Sequence, residues 1–133
     1  MSNIAYVNGD FVKLEDAVVS IEDRGFQFGD SIYEIVKLYN GKLFKLDEHM
    51  QRLFNSAKQI RLNLDYSKEE LKELAQQLLE KNEGSERRAE GGLYIQITRG
   101  RAPRSHGFSD DLEPTVVMYL LPAKKIEAKV REA

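Results

Sequence analysis

The sequence has 133 residues, 41% of them hydrophobic, enough to bury the core of one ordinary domain. Twenty Lys and Arg against 22 Asp and Glu leave a net charge of −2, so no overall field favours nucleic acid or anionic lipid. No apolar run approaches the ~18 residues of a bilayer span and no basic-then-apolar leader opens the chain, so a soluble, cytoplasmic protein without membrane partner is expected.

Residues 4–12 are apolar on both sides of Asn8-Gly9, a dipeptide suited to the positive backbone angles of a tight hairpin turn. The segment 22–30, EDRGFQFGD, reads as a tight turn with a buried aromatic plug. Residues 31–39 supply β-forming side chains ahead of Asn40-Gly41, and Leu43, Phe44 and Leu46 suggest the returning strand of a second hairpin. A first amphipathic helix is expected from Asp47 as N-cap through Met50, Leu53, Phe54, Ala57 and Ile60. Ser67 with Glu70 three residues on forms a capping-box signature for a second helix carrying Leu71, Leu74, Ala75, Leu78 and Leu79 on one face. Polar residues 81–92 read as a flexible loop, followed by strands at 93–98 and 115–121. Strands, two helices and then strands, without βαβ alternation, predict an α+β domain: a mostly antiparallel sheet with two helices packed on one side.

The residues that could carry chemistry are few. No cysteine is present, which removes disulfides, thiolate metal sites and a cysteine nucleophile. Arg99, Arg101, Arg104 and His106 crowd one turn-rich stretch between two strands. Arginine forks and an adjacent imidazole suit a carboxylate or phosphate, while spacing alone favours a solvated basic loop. Arg52 sits near a helix start, where its charge gains nothing from the helix dipole; it is either a surface arginine or an anion ligand. Tyr33 and Glu34 alternate to opposite faces of their strand, so at most one faces a given pocket, and Lys37 is expected to be exposed. His49 has no second ligand at metal spacing, so no metal site is assigned. No phosphate-binding Gly-rich loop is present.

Taken together, EDRGFQFGDSIYEIVKLYNGKLFKLDEHMQRL, YIQITRG and RAPRSH resemble, block by block and in order, the opening of D-amino acid aminotransferases of the fold-type IV pyridoxal phosphate family. The resemblance covers nearly all of the chain from Ile4 to Pro122. It implies the small N-terminal domain of that architecture over residues 1–122, with 123–133 beginning the connection to a second domain that the sequence does not include. It also implies the residue roles. Arg52 would contact the phosphate of pyridoxal 5′-phosphate; Tyr33 would join Arg104 and His106 in gripping the substrate α-carboxylate, the last two reaching across a homodimer. Tyr94 would line the same pocket. The stretch from Asn82, NEGSERRAEGG, looks longer than is usual in the family.

The family's Schiff-base lysine belongs to the second domain and aligns with no lysine here, so no catalytic residue is assigned and the chain alone is expected to be inactive, with its cofactor binding in doubt. The implied activity of the complete enzyme is amino transfer from a D-amino acid such as D-alanine to a 2-oxo acid such as 2-oxoglutarate. The competing expectation, of another class, is a non-catalytic binding or dimerisation module of the same fold. Nucleic-acid binding through the basic stretch finds no recognition motif.

Overall fold

The computed structural model describes residues 3–103 and 112–123. Strands β1 (Ile4–Val7) and β2 (Asp10–Lys13) form the first hairpin around Asn8 and Gly9, both at positive φ as the turn requires. Asn8 also ties this hairpin to the sheet, since its side-chain oxygen accepts from the Val116 amide at 2.7 Å.

Segment 22–30 folds as a short helix, α1 (Arg24–Phe28), and not as a turn around an aromatic plug. Asp23 caps it by accepting from the Gly25 amide at 2.8 Å, and Gly29 ends it in the left-handed region. Phe26 is 72% exposed, while Asp23 and Arg24 are the buried members. Polar bonding at this corner, and not aromatic burial, decides the local conformation.

Strand β3 (Ser31–Tyr39) shows the period of two: Ile32, Glu34, Val36 and Leu38 face inward, and Tyr33, Lys37 and Tyr39 outward. Asn40-Gly41 makes the expected turn, yet its return strand β4 (Lys42–Leu43) is only two residues long. Lys45 adopts φ 57 and diverts the chain into α2 (Leu46–Gln59). Asp47 is therefore not the N-cap. It lies in the first turn and accepts from Lys68 at 3.3 Å and from Lys72 at 3.0 Å, linking α2 to α3 (Lys68–Lys81). The α3 capping box forms with both bonds, Glu70 amide to Ser67 Oγ at 3.0 Å and Ser67 amide to Glu70 Oε1 at 3.1 Å.

The polar stretch after α3 contains a further short helix, α4 (Glu86–Glu90), capped by Ser85. Strands β5 (Gly92–Thr98) and β6 (Thr115–Leu121) complete one antiparallel sheet in the order β2-β1-β6-β5-β3-β4. Met50, Leu53 and Ala57 of α2 and Leu71, Ala75 and Leu78 of α3 pack with the inner sheet side chains Val36, Leu93, Ile95, Ile97, Val116 and Met118. Two principal helices on one face of an antiparallel sheet is the α+β arrangement expected. Buried Asn82 fastens the end of α3 to β1, accepting from the Ile4 amide at 2.8 Å and donating to its carbonyl at 3.0 Å.

The neck of the connection from β5 to β6 is fixed by segment 22–30. Arg24 N–H donates to Gly100 O at 2.8 Å, Asp23 pairs with Arg101 in an isolated antiparallel bridge, and Thr115 Oγ1 donates to Asp23 Oδ2 at 2.6 Å. Gly100, at φ 108, lies so near the Glu113 carbonyl oxygen that a Cβ there would overlap it.

Candidate functional site

Glu34 is an inward-facing carboxylate in a row otherwise made of Ile32, Val36 and Leu38. Its side chain is only 9% exposed, and an ionised carboxylate so placed requires compensation. Helix α2 supplies it from one face, because residues three apart stand one above the other. His49 Nδ1 lies 2.7 Å from Glu34 Oε1, and Arg52 donates from Nε to both carboxylate oxygens at 3.1 and 3.0 Å and from Nη2 to Oε1 at 2.8 Å. The Arg52 side chain is nonetheless 67% exposed. The hydrogen bonds it donates to Glu34, and then the charge of that carboxylate, push the guanidinium above its ordinary pKa, so it stays cationic.

Arg52 is thus an exposed arginine held on one side by a buried carboxylate. The carboxylate takes the side formed by Nε and Nη2. Among the described residues Nη1 has no partner, so the far edge of the guanidinium, Nη1 with the second N–H of Nη2, faces away from Glu34. Such an edge matches two oxygens of a phosphate or carboxylate.

Tyr33 lies across the sheet, on the outer face and 58% exposed. Its ring stacks on Tyr94 with centroids 5.7 Å apart and planes 15° apart, and Tyr94 in turn meets Tyr119 at 5.4 Å. Tyr94 donates to Gln96 Oε1 at 3.2 Å, and Gln96 Nε2 donates to Ser31 Oγ at 3.0 Å, so the aromatic row carries a polar edge. Burial, followed by the neighbouring phenols Tyr119 and Tyr33, raises the Tyr94 pKa and keeps it a neutral donor.

The structure therefore brings Tyr33 and Tyr94 together and sets Arg52 on the opposite face, bonded to Glu34, the chain neighbour of Tyr33. Arg104 and His106 lie outside the described residues. Arg99 is not solvated surface: it is 7% exposed, donating to Asp30 Oδ2 at 2.8 Å and to the carbonyls of Ile60 and Arg61 at the end of α2. Arg24 donates to the same Asp30 oxygen at 3.0 Å. Desolvation alone would raise the Asp30 carboxyl, but the hydrogen bonds from Arg99 and Arg24 outweigh it and hold the pKa below the usual value.

The sequence reading missed the pairing of Glu34 with His49 and Arg52. Its one local signal was parity: a carboxylate on the same strand face as Ile32 and Val36 faces the core and must find a partner there.

Residues 31–132 match the model of the amino-transferase class IV family. The D-alanine aminotransferase of Bacillus licheniformis is 46% identical over 120 residues, covering 90% of this chain and 41% of that protein. In structure, the branched-chain amino acid aminotransferase of Escherichia coli superposes with a TM-score of 0.81 at 26% identity, covering 92% of this chain and 41% of that one. A second branched-chain amino acid aminotransferase, from T.th. and complexed with N-(5′-phosphopyridoxyl)-L-glutamate, shares the fold with a TM-score of 0.80 at 22% identity, over 92% of this chain and 41% of its own. The chain spans about two-fifths of the length of the curated relatives it matches. Among the described residues no helix is long and apolar enough to cross a membrane.

Proposed function

The chain belongs to the amino-transferase class IV family, and from that premise we propose that it supplies the N-terminal part of a D-amino acid transaminase site. The reaction would transfer the amino group of a D-amino acid such as D-alanine to a 2-oxo acid such as 2-oxoglutarate. The observation that carries the reading is the 46% identity to a D-alanine aminotransferase over 90% of the chain.

The donor set fits pyridoxal 5′-phosphate. Arg52, held by Glu34 with an open edge, suits the phosphate group, and the T.th. protein that shares this fold was solved with a phosphopyridoxyl ligand. When bound, the cofactor supplies the electron sink for the Cα carbanion. This chain's own residues bind and orient. Arg52 would fix the phosphate end, and Tyr33, backed by Tyr94, would offer a phenol to the substrate carboxylate with Arg104 and His106 of a second copy. A carboxylate held at three donors is fixed in orientation, and that orientation decides which face of Cα is presented for proton transfer. Tyr33 and Tyr94 form a stiff aromatic pair, which suits a wall for the substrate end. The Schiff-base lysine would come from sequence outside these 133 residues.

The test is a pyridoxal 5′-phosphate titration of the chain with borohydride reduction and mass analysis, followed by an assay with D-alanine and 2-oxoglutarate. No specific adduct and no turnover is expected of the chain alone. A stoichiometric lysine adduct with turnover would overturn the placement of the lysine elsewhere. In a complete enzyme carrying this segment, Arg52→Ala should weaken cofactor binding more than substrate binding and Arg104→Ala the reverse; equal losses of both would sink these roles.

A further inference from the structure

We infer that Glu34 is a positioning residue for the anion site on Arg52, setting the angle at which the guanidinium meets phosphate oxygens, and is not merely its counterion. This rests on the reading of Arg52 as a phosphate contact. Four observations lead to it.

Glu34 stands in a strand row whose other members are apolar, and its side chain is 9% exposed against 67% for Arg52. A pair kept for stability alone would be better served by an apolar residue at 34, because desolvating a carboxylate commonly offsets its Coulombic gain. The contact is side-on, through Nε and Nη2, and this is the geometry that leaves the other guanidinium edge outward. Finally, Oε1 of the carboxylate, the oxygen that accepts from Arg52 Nη2, is also held by His49 Nδ1 at 2.7 Å. A held carboxylate holds the arginine, and an arginine ordered in advance loses less conformational freedom when an anion arrives.

Charge and position make opposite predictions. A simple counterion competes with an incoming phosphate, so its removal should tighten binding. A positioning group presents the guanidinium, so losing its acceptor should loosen binding. Glu34→Gln and Glu34→Leu separate the two, since both lack the charge but only glutamine keeps an oxygen able to accept from Arg52 Nε–H.

The experiment uses the full 133-residue chain and inorganic phosphate as the probe. Phosphate is titrated while the Nε–H resonance of Arg52 is followed by nitrogen-15 NMR, assigned by its loss in Arg52→Lys. The expected result is a phosphate dissociation constant roughly three- to tenfold larger in Glu34→Leu than in Glu34→Gln. Equal or tighter binding by Glu34→Leu overturns the proposal. A second measurement needs no substitution at Glu34: in the unsubstituted chain, Arg52 Nε–H should exchange with solvent several-fold more slowly than Nε–H of the exposed Arg61. Equal exchange rates mean the fork is not held, and the proposal falls. The reading beneath it fails differently, by Arg52→Ala leaving the phosphate affinity unchanged or by phosphate leaving the Arg52 resonance unmoved.

Discussion

Two carboxylate–arginine clusters on this small sheet use the same chemistry to different ends. At Asp30, one oxygen accepts from Arg24 and Arg99, whose side chains are 6% and 8% exposed, and Arg99 spends its remaining nitrogens on the carbonyls of Ile60 and Arg61. At Glu34 the carboxylate is the buried partner and Arg52 is open on its far edge. Burial of the cation separates them. A buried, saturated arginine is committed to the fold, whereas an exposed, half-saturated one retains donors for something else.

That contrast is most easily broken at Asp30. Asp30→Ala removes the carboxylate shared by two buried guanidinium groups and should cost about 3–5 kcal/mol in chemical denaturation; a loss under about 1 kcal/mol would mean that water already solvates the arginines. Acid titration asks the same question without mutation. Because the folded-state pKa of Asp30 is depressed, its contribution is complete above the unfolded carboxyl value, near 4, and is lost as pH falls through the lower folded value. Stability should therefore decline below about pH 4, with a shallower slope in Asp30→Asn. Ser67→Ala, which removes one bond of the α3 capping box, should cost about 1 kcal/mol and gives a yardstick for an ordinary local interaction. Glu34→Leu should fall below that yardstick, within about 1 kcal/mol of neutral, since Arg52 can turn to solvent and leucine joins Ile32 and Val36. A cost comparable to Asp30→Ala would erase the distinction between the clusters.

Local rules exposed much of the fold. Two Asn-Gly turns, a Ser-x-x-Glu box and the alternation of β3 each act over a few residues, and each formed as read. The failures share a cause as well. Leu43, Phe44 and Leu46 have strand-forming or apolar side chains, but only Leu43 joins β4, because a left-handed Lys45 ends the return strand and puts Leu46 at the start of α2. Helices α1 and α4 span five residues each, too few for a period of 3.6 to show. The paired charges were illegible for another reason: Glu34 and Arg52 stand 18 residues apart, and Asp30 and Arg99 stand 69 apart. Only the folded sheet brings such residues together. Tyr33 and Tyr94 were singled out, and their stacking follows from the pairing of β3 with β5, a register the sequence did not reveal.

The pinch at Gly100 has an evolutionary consequence. With Gly100 pressed against Glu113, and Asp23 fastening both Arg101 and Thr115, the two ends of the β5–β6 connection are fixed whatever sequence lies between them. An insertion between positions 103 and 112 leaves the strand register intact, and each doubling of loop length adds only ~0.6 kcal/mol of closure entropy. Sequence between the two anchored ends can thus change in length without altering the pairing of β5 with β6.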